Sequence, residues 1–183
     1  MSTPGRALQT LLIAALLLAG WWGLRTLQQP TELAIEPNPH QGPITIHQLP
    51  ALQLANLQGE PIASSDWSGK VVVLHFWAAW NPICRREIPG LVRLQRELGE
   101  RGLQMVGITL DLPQPARERA QELAINYPLL LGGRSEIALA RGLGNRFQGL
   151  PFTALFDRAG RLVFSHYGEL AEERLHEVIM PLL

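Results

Sequence analysis

The chain of 183 residues is long enough for one domain of about 100–150 residues and a shorter N-terminal extension. Hydrophobic residues make up 46% and charged residues 17% of the sequence, which indicates a packed core and excludes a disordered chain. Sixteen lysine and arginine residues balance sixteen acidic residues, so the net charge does not support nucleic-acid binding, and we expect none. The single cysteine, Cys84, excludes an intramolecular disulfide and a zinc site built from cysteines.

The first apolar segment, residues 7–24, contains no charged side chain and follows a short N-terminal tail, residues 1–6. As an α-helix it would be about 27 Å long, which is close to the thickness of a bilayer core, about 30 Å. Trp21 and Trp22 lie near its end, where aromatic side chains favour the membrane interface. We therefore predict a single-pass anchor that contacts the lipid bilayer of the inner (cytoplasmic) membrane.

A cleaved signal peptide is the alternative interpretation of the same segment. Its hydrophobic region would be residues 11–18, and the small residues Ala19 and Gly20 would precede the cleavage site. The A-x-A pattern is absent and two tryptophans would follow the cut directly, so we favour the uncleaved anchor. In both cases we expect the rest of the chain to face the periplasm or the cell exterior.

Residues 25–50 contain five prolines and predict an extended linker. Proline lacks a backbone donor and fixes φ, so it disfavours helices and strands. A folded domain is expected over residues 51–183.

Within this domain, short apolar runs alternate with amphipathic segments. Strands are predicted at residues 51–54, 60–62, 71–77, 103–110, 152–156 and 162–165. Helices are predicted from Asn81 to Gly102 and at residues 115–124, 135–141 (with Ser135 as the N-cap) and 170–178. Residues 127–131 form a further short apolar run. The order of elements predicts an α/β fold with a mixed central sheet flanked by helices.

Residues 77–89, WAAWNPICRREIP, carry the most specific pattern of the chain. They resemble the segment F-W-A-x-W-C-x-x-C-R-x-E-x-P of the membrane-anchored TlpA/ResA/CcmG-type thiol-disulfide oxidoreductases, a redoxin (AhpC/TSA-like) group with the thioredoxin-like fold. Residues 57–69 resemble the segment that precedes this region in the family. Leu150-Pro151 resembles the segment that holds a cis-proline opposite the active site. The resemblance covers residues 50–183.

One position departs from the family pattern, because Asn81 stands where the resemblance implies the first, attacking cysteine. The second, resolving cysteine then corresponds to Cys84. A thiolate is the attacking species in disulfide exchange, and asparagine has no comparable nucleophile. Asn81 is instead a good N-cap for the predicted helix, with Pro82 in the favoured first position. We interpret the site as degenerate and leave open whether the chain is an enzyme.

Cys84 lies three residues into the predicted helix, so we expect a partly inward-facing thiol of low reactivity, with a nucleophile as the alternative. His75, on a predicted buried strand, is either a proton relay beneath Cys84 or, as we favour, a hydrogen-bonded core histidine. Without a functional role, Glu87 would form a surface ion pair and Pro89 would kink the helix. We expect no cofactor and no metal site.

Trp80 is predicted to be exposed beside the site, whereas Trp77 is predicted to lie in the core. A turn proline is the alternative role of Pro151. The candidate client-binding residues are Trp80, Pro82, Ile83, Leu150 and Pro151.

Our first hypothesis is an anchored thioredoxin-fold protein that binds client proteins or a membrane redox partner without dithiol turnover. The resemblance implies a role in thiol redox homeostasis or cytochrome c maturation. The second hypothesis is a single-cysteine redox protein whose Cys84 forms mixed disulfides. A thiol peroxidase is least favoured, because peroxiredoxins, which share the fold, have a threonine where this chain has Asn81.

Overall fold

The computed structural model describes residues 46–183. The predicted anchor at residues 7–24 and most of the predicted linker at residues 25–50 lie outside the described residues. Among the described residues, no helix combines the length and the apolar character needed to cross a bilayer.

A small antiparallel hairpin precedes the main sheet. Strand β1 (Gln53–Ala55) pairs with β2 (Pro61–Ala63), and Leu54 lies opposite Ile62. The turn between them contains Gly59 with φ of 89°, a left-handed conformation that glycine adopts without a steric penalty. The predicted hairpin is confirmed, with both strands displaced slightly towards the C-terminus.

The main sheet has five strands in the order β5-β4-β3-β6-β7. They are β3 (Val71–Trp77), β4 (Leu103–Thr109), β5 (Leu129–Leu131), β6 (Phe152–Phe156) and β7 (Leu162–Tyr167). Strands β3, β4 and β5 are parallel, whereas β6 and β7 run antiparallel to their neighbours, so the predicted mixed sheet is confirmed. Strand β5 lies within the apolar run at residues 127–131, which is too short for its periodicity to distinguish a strand from another structure.

Four α-helices complete the domain. They are α1 (Pro82–Leu98), α2 (Pro113–Glu122), α3 (Arg134–Gly142) and α4 (Glu172–Ile179). The predicted Ser135 cap of α3 is wrong. Gly133 precedes this helix, and its N–H donates to the Glu136 carboxylate, to which the Ser135 hydroxyl also donates. Glu136 therefore satisfies the backbone N–H of the N-cap residue, and Ser135 lies inside the helix.

Strand β3 is central, and all seven of its side chains are buried. Val73 and Trp77 pack in a core that includes Ile88 of α1, whereas Leu74 and Phe76 pack in a second core. Burial of one such side chain stabilises the fold by about 1.5–3 kcal/mol. The two cores account for the continuous apolar run of the sequence, since a strand covered on both faces needs no polar alternation.

The strand directions place two distant segments side by side. Strand β3 ends at Trp77 and the chain then enters α1, so the start of this helix lies at the carboxyl edge of β3. Strand β6 runs in the opposite direction, and its first residue, Phe152, pairs with Phe76 at the same edge. Leu150-Pro151, directly before β6, therefore lies beside the start of α1.

Candidate functional site

Asn81 is the N-cap of α1, as predicted. Its Oδ1 accepts hydrogen bonds from the backbone N–H of Ile83 at 2.8 Å and of Cys84 at 3.3 Å. Pro82 follows in the first helical position. A backbone N–H at this position has no acceptor within the helix, so proline forfeits no hydrogen bond there. One side-chain oxygen thus satisfies two backbone donors that the helix itself leaves unpaired.

The same side chain also reaches across to the segment before β6. Asn81 Nδ2 donates to the Leu150 carbonyl oxygen at 3.0 Å, and the Leu150-Pro151 peptide bond that follows is cis. Asn81 is buried, so both polar atoms of its side chain are used inside the protein. The amide therefore joins the helix start to the cis-proline segment, a contact between residues 69 positions apart.

Replacing Asn81 with alanine should lower the free energy of unfolding by about 1–3 kcal/mol, the combined effect of a lost cap and a lost hydrogen bond. Asn81→Asp keeps the acceptor and adds a charge that suits a helix N-terminus. However, it turns an oxygen towards the Leu150 carbonyl, so we expect an intermediate stability. Denaturant melts of the three proteins test this order. A wild-type stability of Asn81→Ala would show that neither the cap nor the bridge to Leu150 stabilises the fold.

Cys84 is fully buried and packs in the core that includes Trp77 and Ile88. Burial raises the pKa of the thiol from 9.0 to about 11, and the negative charges of Glu87 and Asp111 add to this effect against hydrogen bonding with the backbone. At neutral pH the sulfur is therefore protonated and shielded from solvent. The predicted inward orientation of this side chain is confirmed.

His75 is a core histidine with one hydrogen-bonding partner. Its Nε2 lies 3.3 Å from Glu87 Oε2, and the side chains of both residues are buried. Its Nδ1 has no hydrogen-bond partner among the described residues, and His75 makes no hydrogen bond to Cys84 there. His75 is therefore buried and hydrogen-bonded, as predicted for a core histidine, and its role as a proton relay beneath Cys84 stays a prediction.

The alternative interpretation of Glu87, a surface ion pair, is wrong, because Glu87 is buried. Glu87 lies one helical turn after Cys84, on the same inward face of α1, and its Oε1 accepts a hydrogen bond from the Leu170 N–H at 2.6 Å. The carboxylate thus joins α1 to β3, through His75, and to the chain segment before α4. Its sequence neighbours Arg85 and Arg86 are both exposed, so local composition concealed this burial.

The predicted client-binding residues differ in their exposure. Trp80 is 70% exposed, as predicted, and Trp77 is buried, as predicted. Pro82 is exposed, Ile83 and Leu150 are half-buried, and Pro151 is buried. The structure places these residues around Asn81.

Among residues 46–183, no group of three His, Cys, Asp or Glu side chains is arranged to hold a metal ion.

Three large apolar side chains near this site were missed by the sequence analysis. Leu112 is 76% exposed, Phe147 is 77% exposed and Tyr167 is 45% exposed. The Phe147 and Tyr167 rings contact each other, with centroids 5.3 Å apart. Sequence patterns assign apolar side chains to a core by default, and nothing local marks these three as surface residues.

Comparison with known proteins shows similarity to the AhpC/TSA family over residues 46–168. The chain is 28% identical over 125 residues to the thiol-disulfide oxidoreductase ResA of Halalkalibacterium halodurans, covering 68% of this chain and 69% of that protein. It is 29% identical over 186 aligned positions to the thiol:disulfide interchange protein HelX of Rhodobacter capsulatus, covering 100% of this chain and 97% of that protein.

Solved structures show the same architecture. A thioredoxin-family thiol:disulfide interchange protein from Chlorobium tepidum superposes with a TM-score of 0.69 at 23% identity, covering 78% of this chain and 98% of that chain. A DsbE-type thiol:disulfide interchange protein from the same organism superposes with a TM-score of 0.66 at 25% identity, covering 74% and 95%. The predicted thioredoxin-like fold is confirmed.

Proposed function

The chain belongs to the AhpC/TSA family, with thiol-disulfide oxidoreductases among its relatives, and we propose that it binds client proteins or a redox partner without turning over a dithiol. Cys84 is the main support for this proposal. It is the only thiol of the chain, it is fully buried, and its pKa is raised to about 11. A thiol in this state attacks a protein disulfide very slowly, because exchange needs an accessible thiolate.

Asn81, at the position of the attacking cysteine, also supports binding without dithiol turnover. It stands at the helix start, where N–H groups and the helix dipole would stabilise an attacking thiolate. Its amide uses these N–H groups for its own cap and holds Leu150 as well. The Asn81 side chain therefore links the start of α1 to the cis-proline segment and leaves no group for disulfide exchange. Client contact would rely on the surrounding residues Trp80, Pro82, Ile83 and Leu150-Pro151.

We place this activity outside the cytoplasm, in thiol redox homeostasis or cytochrome c maturation. The uncharged segment at residues 7–24 would anchor the protein in the inner membrane, residues 25–50 would be the linker, and residues 51–183 the client-binding domain. The similarity to HelX extends over the whole chain and so includes the N-terminal segment. The intact mass of protein extracted from membranes tests the anchor, since signal cleavage would remove residues 1–20.

Binding of an unfolded client tests the central proposal. The full-length chain in mild detergent is titrated with labelled, reduced and carboxymethylated α-lactalbumin, which has no free thiol. We expect Cys84→Ala to bind like the wild type and Trp80→Ala to bind several-fold more weakly. Val163→Ala, which alters an exposed side chain near the start of β7, is the matched control and should have no effect.

Two results would contradict the proposal. Wild-type protein that does not bind this probe would remove the client-binding function. Capture of a disulfide-containing client that disappears in Cys84→Ala would favour the single-cysteine redox protein. That mechanism requires the helix start to open, since the sulfur has no exposed surface.

Alkylation of Cys84 should be slow and strongly pH-dependent. At pH 8 we expect iodoacetamide to label the folded chain at least about a hundredfold more slowly than a small thiol, because the pKa is raised from 9.0 to about 11. The rate should increase about tenfold per pH unit towards that pKa. The folded state should lose stability as the pH rises from 9.0 through about 11, because the unfolded thiol ionises first. A labelling rate that levels off near pH 7 would instead indicate a reactive cysteine.

A further inference from the structure

A cavity of about 400 Å³ lies at the amino edge of β3, the edge opposite Asn81. Its walls come from the segment before β1, the chain between β2 and β3, and the turn between β6 and β7. Strand β3 rises about 3.3 Å per residue, so the cavity is about 20 Å from the candidate site. This cavity is therefore separate from that site, and its volume is in the range of ligand pockets.

Two cationic side chains line the cavity, and none of the described residues that line it is acidic. Lys70 Nζ donates to Gln104 Oε1 at 3.3 Å, so its partner is a neutral amide. The Arg158 guanidinium donates to three backbone carbonyl oxygens, one of them that of Gly69 at 3.2 Å. Neither cation forms an ion pair with an Asp or Glu side chain within residues 46–183.

The acidic side chains nearest in sequence are engaged elsewhere. Asp66 Oδ2 accepts from the Ala63 N–H at 3.3 Å, and Asp66 does not line the cavity. Asp157 is buried, and its Oδ2 accepts from Arg161 Nε at 2.8 Å. In the described part of the chain, the positive charge of the cavity is thus not compensated.

Two uncharged donors in the lining also have no acceptor. Trp67 is 4% exposed, and its indole N–H forms no hydrogen bond within residues 46–183. The Ser65 hydroxyl has no partner there either, whereas the neighbouring Ser68 hydroxyl donates to the Ser65 carbonyl oxygen at 2.7 Å. A buried indole N–H usually has a hydrogen-bond partner, so Trp67 points to an acceptor that the described chain does not supply.

The walls of the cavity are held in place by hydrogen bonds between different segments. Arg158 connects the β6–β7 turn to Gly69, and the Leu49 N–H donates to the Gly160 carbonyl oxygen at 2.7 Å. Gly69 adopts a left-handed conformation with φ of 77°, and no atom lies within 4 Å of the position that a Cβ would take. The cavity is therefore open before a ligand binds, and a preformed site loses little entropy on binding.

We propose that this cavity binds the phosphate group of a small organic phosphate or of an anionic phospholipid headgroup. Lys70 and Arg158 would form charge-assisted hydrogen bonds to the phosphate oxygens, and Ser65 and Trp67 would donate to the same group. A tetrahedral phosphate presents acceptors in several directions, which suits donors from four separate side chains better than a planar carboxylate does. Leu49, at the end of the predicted linker, is part of the wall, and this position makes a lipid headgroup one of the two sources.

Acetylation of Lys70 provides a local readout, because it is the only lysine of the chain. The full-length chain in mild detergent is treated with a low concentration of acetic anhydride, and the modification of residue 70 is followed by mass spectrometry. We expect sn-glycerol 3-phosphate to slow this reaction at least fivefold, and glycerol with sodium chloride of equal ionic strength to have no such effect. High salt should weaken the protection, since it screens exposed charges.

A second arm identifies the source of the phosphate. The full-length chain is reconstituted into phosphatidylcholine vesicles with or without phosphatidylglycerol, and Lys70 is acetylated as before. Protection by phosphatidylglycerol alone supports the proposal with a lipid headgroup as the ligand. Protection by sn-glycerol 3-phosphate alone supports it with a free organic phosphate.

Variants that leave Lys70 in place locate the ligand. Arg158→Gln should raise the concentration for half-maximal protection about tenfold, the effect of losing one hydrogen bond to a charged group. Ser65→Ala alters an exposed side chain that makes no hydrogen bond in the described structure, so it should fold normally and weaken protection several-fold. The matched control is Arg85→Gln, which removes one positive charge from an exposed side chain of α1 and should change nothing.

Absence of protection in both arms, or equal effects of Arg158→Gln and Arg85→Gln, would overturn the inference. Equal protection by succinate would also overturn it, because the cavity would then not distinguish phosphate from a carboxylate. These results are independent of client binding, which the α-lactalbumin titration measures separately.

Discussion

Asn81→Cys should form a disulfide with Cys84 and should catalyse the reduction of insulin by dithiothreitol, which we expect the wild-type chain not to do. Disulfides need Cα atoms about 4.4–6.8 Å apart, and positions three residues apart at a helix start meet this requirement. The side chain at position 81 already points towards position 84, since Asn81 Oδ1 accepts from the Cys84 N–H at 3.3 Å. The introduced sulfur would therefore start close to its partner.

The introduced thiol would also be activated. As a thiolate it would take the place of Asn81 Oδ1, the acceptor for the N–H groups of Ile83 and Cys84 at the positive end of α1. This thiolate attacks an insulin disulfide and forms a mixed disulfide. Cys84 then displaces the insulin thiolate, which leaves insulin reduced and the variant oxidised. Dithiothreitol restores the variant by thiol–disulfide exchange.

Mass spectrometry after mild oxidation detects the disulfide between positions 81 and 84. The turbidity of the insulin solution measures the rate of insulin reduction. We expect loss of two hydrogens from the variant and a rate at least tenfold above dithiothreitol alone. Asn81→Ser is the matched control without a thiol, and Asn81→Cys/Cys84→Ala is the control without a resolving thiol. Wild-type catalysis above a free-thiol control would contradict the proposed absence of dithiol turnover. A variant that stayed reduced would show that position 81 cannot host a redox centre.

The largest loss of stability is expected for Glu87→Ala, at about 1–3 kcal/mol for each of the two buried hydrogen-bonding groups that lose their acceptor. The change leaves the Leu170 N–H and the His75 ring without the acceptor that Glu87 supplies. Glu87→Gln keeps an oxygen for Leu170 and should lose less than half as much. Glu97→Ala is the matched control on the same helix, because this exposed carboxylate makes only a 3.9 Å contact with His176.

Denaturant melts of the three variants provide the comparison, and Glu87→Gln allows a second measurement. The Glu87 charge raises the pKa of Cys84, so its removal should shift the alkylation profile of Cys84 to lower pH. Similar stabilities for Glu87→Ala and Glu97→Ala would show that the buried carboxylate does not hold α1, β3 and the segment before α4 together. An unchanged alkylation profile would show that Glu87 does not act on the thiol.

Local sequence patterns were sufficient where a structure depends on neighbours in the chain. The continuous apolar run predicted β3 with its observed bounds, and Asn81-Pro82 predicted the start of α1. Local patterns were insufficient for β5, which is three residues long, and for the start of α3, where Gly133 rather than Ser135 is the N-cap. In both cases several local arrangements were compatible with the same residues.

The sequence by itself determined the α/β order of elements, the capped start of α1 and the presence of one thiol, because these depend on residue type and on spacing along the chain. Only the tertiary structure decided that Asn81 also binds Leu150, that Glu87 is buried against His75, and that Phe147 and Tyr167 meet at the surface. These contacts join residues from different elements. Their formation depends on strand order and on the packing of α1 against the sheet, which no periodicity within a single segment encodes.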